Sequence, residues 1–227
     1  VALPGDDLTN HIAPSGPKLR LGAGLVHRGG SVRATRAGLL RHKPPQTYWI
    51  DANQKRYIAR VEDQVVGLVE ERMGDFYRMN LFGSSPALLN LLSFEGASKR
   101  NKPNLGVGAL VYCRVVAADK DMEPELTCLT GHHGVAKDWN TGQSTFGELK
   151  DGMAVRCSLM HARSLMRPES AVLNALGRRV PFEVAVGVNG VVWVNAGTPA
   201  HIIAVCNAIL NAEVMSDGET LIMVDRL

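Results

Sequence analysis

Gln64-Val65-Val66-Gly67-Leu68-Val69, Phe76-Tyr77-Arg78-Met79-Asn80-Leu81, Ala87-Leu88-Leu89-Asn90-Leu91-Leu92, Ala109-Leu110-Val111-Tyr112-Cys113-Arg114-Val115-Val116-Ala117 and Leu126-Thr127-Cys128-Leu129-Thr130 are five short apolar runs in close succession. Each is too short for a helix of ordinary length and is rich in residues that suit a pleated surface. Gly74-Asp75, Gly83-Ser84-Ser85-Pro86 and Pro103-Asn104-Leu105-Gly106 punctuate them with turn chemistry. Five strands spaced in this way predict a small closed barrel of the OB type, a shape that commonly binds single-stranded nucleic acid.

Outward from the barrel the chain changes character on both sides. Residues 1–60 carry the β-type runs Arg20-Leu21, Val32-Arg33-Ala34-Thr35 and Thr47-Tyr48-Trp49-Ile50-Asp51, broken by glycines and by Pro44-Pro45. They predict hairpins with a loose front end, a mobile loop over 11–18, and an arm in which Leu3, Pro4 and Gly5 have no partner within the chain. Residues 132–147 are polar and irregular and read as a linker. From 148 to 227 the pattern is α+β: a strand over 154–159, a helix from Glu169 to Gly177, and a hairpin of Phe182–Val186 with Val191–Val194. A helix entered through Thr198-Pro199 follows, then a short one entered through the capping box Ser216-Asp217-Gly218-Glu219.

The fold class is therefore multidomain, mainly β plus α+β, with an N-terminal segment (1–60), a barrel (61–131), a linker (132–147) and a C-terminal unit (148–227). At 227 residues the chain exceeds the usual single domain of roughly 100 to 200 residues. With 45% hydrophobic and 21% charged residues it has the apolar surface to fold, and a formal charge of +3 permits a nucleic-acid partner without dictating one. No run approaches a membrane span and the opening lacks a leader pattern, so the expectation is an intracellular protein with no membrane partner. The first residue is Val, which suggests a trimmed start. Cys113, Cys128, Cys157 and Cys206 are widely spaced with no C-x-x-C, as expected for buried, reduced thiols.

Leu92-Ser93-Phe94-Glu95-Gly96-Ala97-Ser98-Lys99-Arg100-Asn101-Lys102-Pro103-Asn104, followed by Asp119-Lys120-Asp121-Met122-Glu123-Pro124-Glu125, resembles the S1 domain of an RNA exosome cap subunit of the S1/KH type. Trp49-Ile50-Asp51, Gln54-Lys55-Arg56-Tyr57 and Gly187-Val188-Asn189-Gly190 with Trp193-Val194 extend the resemblance over nearly the whole chain. The resemblance implies an S1-like barrel and a KH-like C-terminal domain. It implies a subunit that sits on a ring of RNase PH-like proteins beside other cap subunits, guides single-stranded RNA, and leaves hydrolysis to an associated nuclease. Nucleus, nucleolus and cytoplasm are the implied locations. The alternatives are a free-standing OB/KH RNA-binding protein or RNA chaperone, which needs a fuller aromatic face and a cationic KH clamp, and a nuclease, which needs converging carboxylates.

Lys99, Arg100 and Lys102 are the leading candidates to neutralise phosphates, with Arg72 and Arg78 behind them. Phe76, Tyr77 and Phe82 are candidate stacking surfaces, although Phe76 and Tyr77 must point to opposite sides of their strand. Gly187-Val188-Asn189-Gly190 formally fits the Gly-x-x-Gly clamp of KH domains, but it lies between two strands and reads as a tight turn. The resemblance adds that this motif is structural and packs toward the S1 domain. Trp193 reads as packing. Asp119, Asp121, Glu123 and Glu125 are consecutive loop residues rather than a metal site, His132-His133 likewise, and no cofactor or catalytic residue is expected. Leu3, Pro4 and Gly5 are the candidate partner contact, on the expectation that deleting residues 1–8 leaves stability nearly unchanged.

Overall fold

The computed structural model describes residues 1–12, 19–53, 56–119, 121–131, 137–139 and 144–226. The chain divides into two compact units, Val1–Gln54 and Lys55–Leu227.

In the first unit β1 (Arg20–Leu21), β4 (Leu39–Lys43) and β5 (Thr47–Asp51) form a sheet in the order β1-β5-β4, and β2 (Leu25–Arg28) pairs with β3 (Ser31–Ala34) as a hairpin. The sequence reading missed β2 and β4. β2 ends in His27-Arg28 and β4 in Arg41-His42-Lys43, and both strands are mostly exposed, so neither shows the apolar run on which the other strands were recognised. The arm is also corrected. Ala2 exchanges backbone bonds with Gly38 (2.8 and 3.0 Å), Gly5 donates to Ala34 (2.8 Å) and Leu8 to Val32 (2.8 Å). Ala2, Leu8 and Ile12 are buried with Val32, Ala34, Tyr48 and Ile50 in the core of the unit. Once its amides are spent on neighbouring strands, the arm is internal structure; Leu3, Pro4 and Gly5 stay exposed at its bend.

In the second unit β6 (Gln64–Met73), β7 (Phe76–Asn80) and β8 (Ala87–Phe94) run as an antiparallel meander. β9 (Leu110–Ala117) pairs with β6, and β10 (Glu125–Cys128) closes the barrel by pairing antiparallel with β9 and parallel with β8. Alternate residues fill the interior: Val65 and Val69, Tyr77 and Met79, Leu89 and Leu91, and Val111, Cys113 and Val115. β11 (Gly147–Leu149) adds to β9, and Phe146 is 1% exposed in the barrel core. The end of the expected linker and the start of the expected C-terminal unit thus belong to the barrel, because a single buried aromatic outweighs the polar composition around it.

Beyond the barrel, β12 (Met153–Arg156), β13 (Phe182–Val186) and β14 (Val191–Ala196) form an antiparallel sheet in the order β12-β14-β13. Helices α1 (Leu159–Leu165), α2 (Ala171–Gly177), α3 (Pro199–Ala212) and α4 (Asp217–Asp225) accompany it. The strand expected over 154–159 stops at Arg156, since the Ser158 hydroxyl accepts from the His161 amide (3.3 Å) and starts α1. Thr198 caps α3 ahead of Pro199, and Ser216 with Glu219 completes the capping box of α4. One side of this sheet contributes Val155, Val192 and Val194 to a core with Leu165, Leu176, Val205 and Ile209. The other side packs on the barrel, where Val191, Trp193 and Ala185 bury with Val66.

Candidate nucleic-acid interface

The loop joining β8 to β9 carries the leading cations, and its two ends are fixed. Tyr77, buried in the barrel, donates its hydroxyl to the Pro103 carbonyl (2.9 Å) and accepts from the Leu105 amide (3.0 Å). At the other end Glu95 accepts from the Thr130 amide through its carboxylate (2.7 Å) and from the Trp139 amide through its carbonyl (3.0 Å). Gly96 has φ +74, and a Cβ there would strike the Asp138 carboxylate, so this position needs glycine twice over. Between these anchors Ser98 and Asn101 exchange backbone bonds in a tight turn (2.8 and 3.1 Å) that leaves Lys99 and Arg100 exposed and Lys102 half-buried. Arg72, near the end of β6, donates to the Asn104 side chain (3.1 Å). Four of the five candidate cations therefore gather at one end of the barrel, three on the anchored loop and Arg72 beside it on β6.

Arg78 is not among them. It lies on the outer side of β7, opposite Glu71 on β6 and Leu88 on β8, and its Nε has no hydrogen-bond partner among the described residues. Leu88 in turn faces Glu125 across the parallel pairing with β10. The acidic loop before β10 thus sits at the start of β8 and the cationic loop follows its end, which polarises the barrel along that strand. Among the described residues no cluster of His, Cys, Asp or Glu could hold a metal ion; His132 and His133 lie outside the described residues.

Of the three aromatic candidates, Phe76 is 40% exposed on the outer side of β7, and Tyr77 is fully buried. Phe82 is half-buried with one ring face under the Arg156 guanidinium (4.9 Å to the ring centroid), so it joins the barrel to the C-terminal sheet.

Gly187-Val188-Asn189-Gly190 joins β13 to β14 and points into the barrel. Asn189 is 2% exposed; its amide donates to the carbonyls of Val66 (2.8 Å) and Leu81 (3.0 Å), and its oxygen accepts from the Val66 amide (3.3 Å). Val188 donates to the Gln64 carbonyl (2.9 Å). Gly190 has φ +80, and a Cβ would lie 2.5 Å from the Cys157 carbonyl; one on Gly187 would strike Asn189 and lie 2.7 Å from the Val66 amide. Of the backbone amides that a KH clamp would offer to a phosphate backbone, that of Val188 is spent on the barrel and those of Gly187 and Gly190 on the hairpin itself. Trp193 is 6% exposed, and Gly152 has no Cβ where the indole lies. Sequence reasoning found the turn and the tryptophan. It missed Tyr77, whose buried hydroxyl fixes the cationic loop, because nothing local marks a strand tyrosine as the partner of a loop 26 and 28 residues away.

A polarised OB barrel packed against a KH-like sheet defines the class: an RNA-binding type of S1/KH protein. Family models agree on each part, with "Exosome complex exonuclease Rrp40 N-terminal domain" matching residues 19–56, "Exosome complex component RRP40, S1 domain" matching 57–139 and "KH domain" matching 152–200. Exosome complex component rrp40 of Schizosaccharomyces pombe is 40% identical over 224 residues, 96% of this chain and 90% of that protein. The Drosophila melanogaster protein is 40% identical over 92% of this chain and 87% of its own length, and the human protein 37% identical over 91% and 74%. The chain belongs to the RRP40 family of exosome complex components. Its fold is also that of a crystal structure of a protein assigned as an exosome complex RNA-binding protein, with TM-score 0.59 and 21% identity, covering 75% of this chain and 94% of that one.

Proposed function

We propose that the chain is a non-catalytic cap subunit of the exosome that passes single-stranded RNA toward a nuclease supplied by the complex. The observation that carries this is the loop bearing Lys99, Arg100 and Lys102, held at both ends by Tyr77 and Glu95 and joined by Arg72 through Asn104. Cations on such a loop neutralise phosphates without reading bases, which suits a subunit that must accept any sequence. Arg78 and the open ring of Phe76 would add a second contact along β7. The backbone amides of Gly187, Val188 and Gly190, already bonded within the chain, and the Asn189 side chain bonded to the barrel favour this reading over a free-standing OB/KH binder, which would need that clamp.

Its partners in this reading are RNase PH-like ring subunits and the other cap subunits, with the exposed Leu3, Pro4 and Gly5 among the contacts, and its locations are those of the exosome in nucleus, nucleolus and cytoplasm. The working domain limits are about 1–56, 57–149 and 150–227. The test is reconstitution of the complex with Lys99→Ala, Arg100→Ala and Lys102→Ala. Retention of a single-stranded RNA should fall, and the slope of log K against log salt should drop by roughly 0.7 per lost contact. An unchanged slope would place the RNA elsewhere.

A further inference from the structure

We propose that the cleft between the barrel and the C-terminal sheet is a docking groove for an extended segment of a partner protein carrying Lys or Arg, which adds as a strand to β13. This proposal does not rest on the RNA-binding reading. Gly187, just after β13, donates to the Val191 carbonyl (2.8 Å), so by alternation Ala185 and Glu183 are the residues of β13 that bond to β14. The intervening residues direct their N–H and C=O away from it. Near the turn that outer edge is covered, by the Tyr112 hydroxyl on the Val186 carbonyl (3.4 Å) and by the Gln64 carbonyl on Val188. At Val184 and Phe182 the cover ends, and no strand pairs with this edge among the described residues.

The same edge borders a cavity of about 820 Å³ that runs across to β11 and the residues after it. Trp139 and Trp193 line it, and the indole N–H of Trp139 has no partner among the described residues. Glu148, Asp151 and Glu183 also line it, and the single lining cation among the described residues, Lys150, pairs with Glu148 (3.3 Å). An open strand edge supplies main-chain bonds, the tryptophans a seat for an apolar side chain, and the surplus carboxylates a counter-charge for Lys or Arg. The same carboxylates repel a phosphate backbone, which argues for protein over RNA as the occupant.

The test places a photo-crosslinking residue at position 150 of the full chain within its complex, identifies the crosslinked segment, and titrates a synthetic peptide of that segment against the purified full chain. A segment bearing Lys or Arg among apolar residues is expected, with its Kd raised tenfold or more by Glu183→Lys, which reverses the counter-charge, and by Val184→Pro, which removes the edge amide. Crosslinks to RNA, to an acidic or helical segment, or to a second copy of this chain would overturn the proposal, as would no crosslink or a Kd unmoved by Glu183→Lys.

Discussion

Asn189 has two amide hydrogens and an oxygen to satisfy where water does not reach, and it satisfies them all on the barrel, at Val66 and Leu81. Asn189→Ala strips Val66 and Leu81 of these partners and should cost about 2–4 kcal/mol in denaturant unfolding, with RNA retention by surviving complexes unchanged. Asn189→Asp should be worse at neutral pH, since a carboxylate would face two carbonyls. Its folded pKa would then rise above the unfolded value of about 3.9, so stability should recover as pH falls toward that value and be lost as pH rises through the folded pKa. A stability loss in Asn189→Asp that does not depend on pH would show that the side chain leaves the site. The Gly-x-Asn-Gly turn was legible in the sequence because glycine and asparagine advertise positive φ; its three barrel partners, more than a hundred residues away for Asn189, were not.

Among the elements, β9 and β10 place Cys113 and Cys128 inside the barrel, fully buried. Burial pushes the Cys113 thiol up to about 12 and Cys128 well above its usual value. Neither should react with iodoacetamide at pH 8 until the barrel opens, a result that intact-mass spectrometry can read. Because the folded pKa is the higher one, these thiols leave stability untouched below about pH 9; above it, stability should fall by about 1.4 kcal/mol per pH unit for each thiol, up to the folded value. All five barrel strands were legible in the sequence, since each is a continuous or alternating apolar run. β2, β4, β11 and α1 were not: β2 and β4 are too polar, β11 is only three residues long, and α1 follows β12 so closely that the expected strand ran into its first residue.

For the whole molecule, the first unit closes only with its own N-terminal arm. Deleting residues 1–8 removes Ala2 and Leu8 from its core and should cost this unit about 3 kcal/mol or more, which its thermal transition would register. A transition within 1 °C of the parent's would restore the reading of a detached arm. In the second unit the barrel and the C-terminal sheet share Val66, Ala185, Val191 and Trp193, so residues 55–227 should melt as one cooperative step. Trp193→Arg buries a charge in that shared core, and calorimetry should show the step split or shifted down by several degrees.

The sequence by itself determined the class of each part, the order of the parts, the strands of the barrel, the cations of the β8–β9 loop and the capped helices. Those are local properties, written in runs, periods and turn residues that the chain reads within a few positions of itself. Only the tertiary structure decided that the arm belongs to the first core, that Phe146 belongs to the barrel, that Tyr77 holds the cationic loop and that the KH-like turn is spent on the barrel. Each of these is a contact between residues far apart in the chain, where burial and unsatisfied polar groups choose the partner and local composition carries no record of the choice.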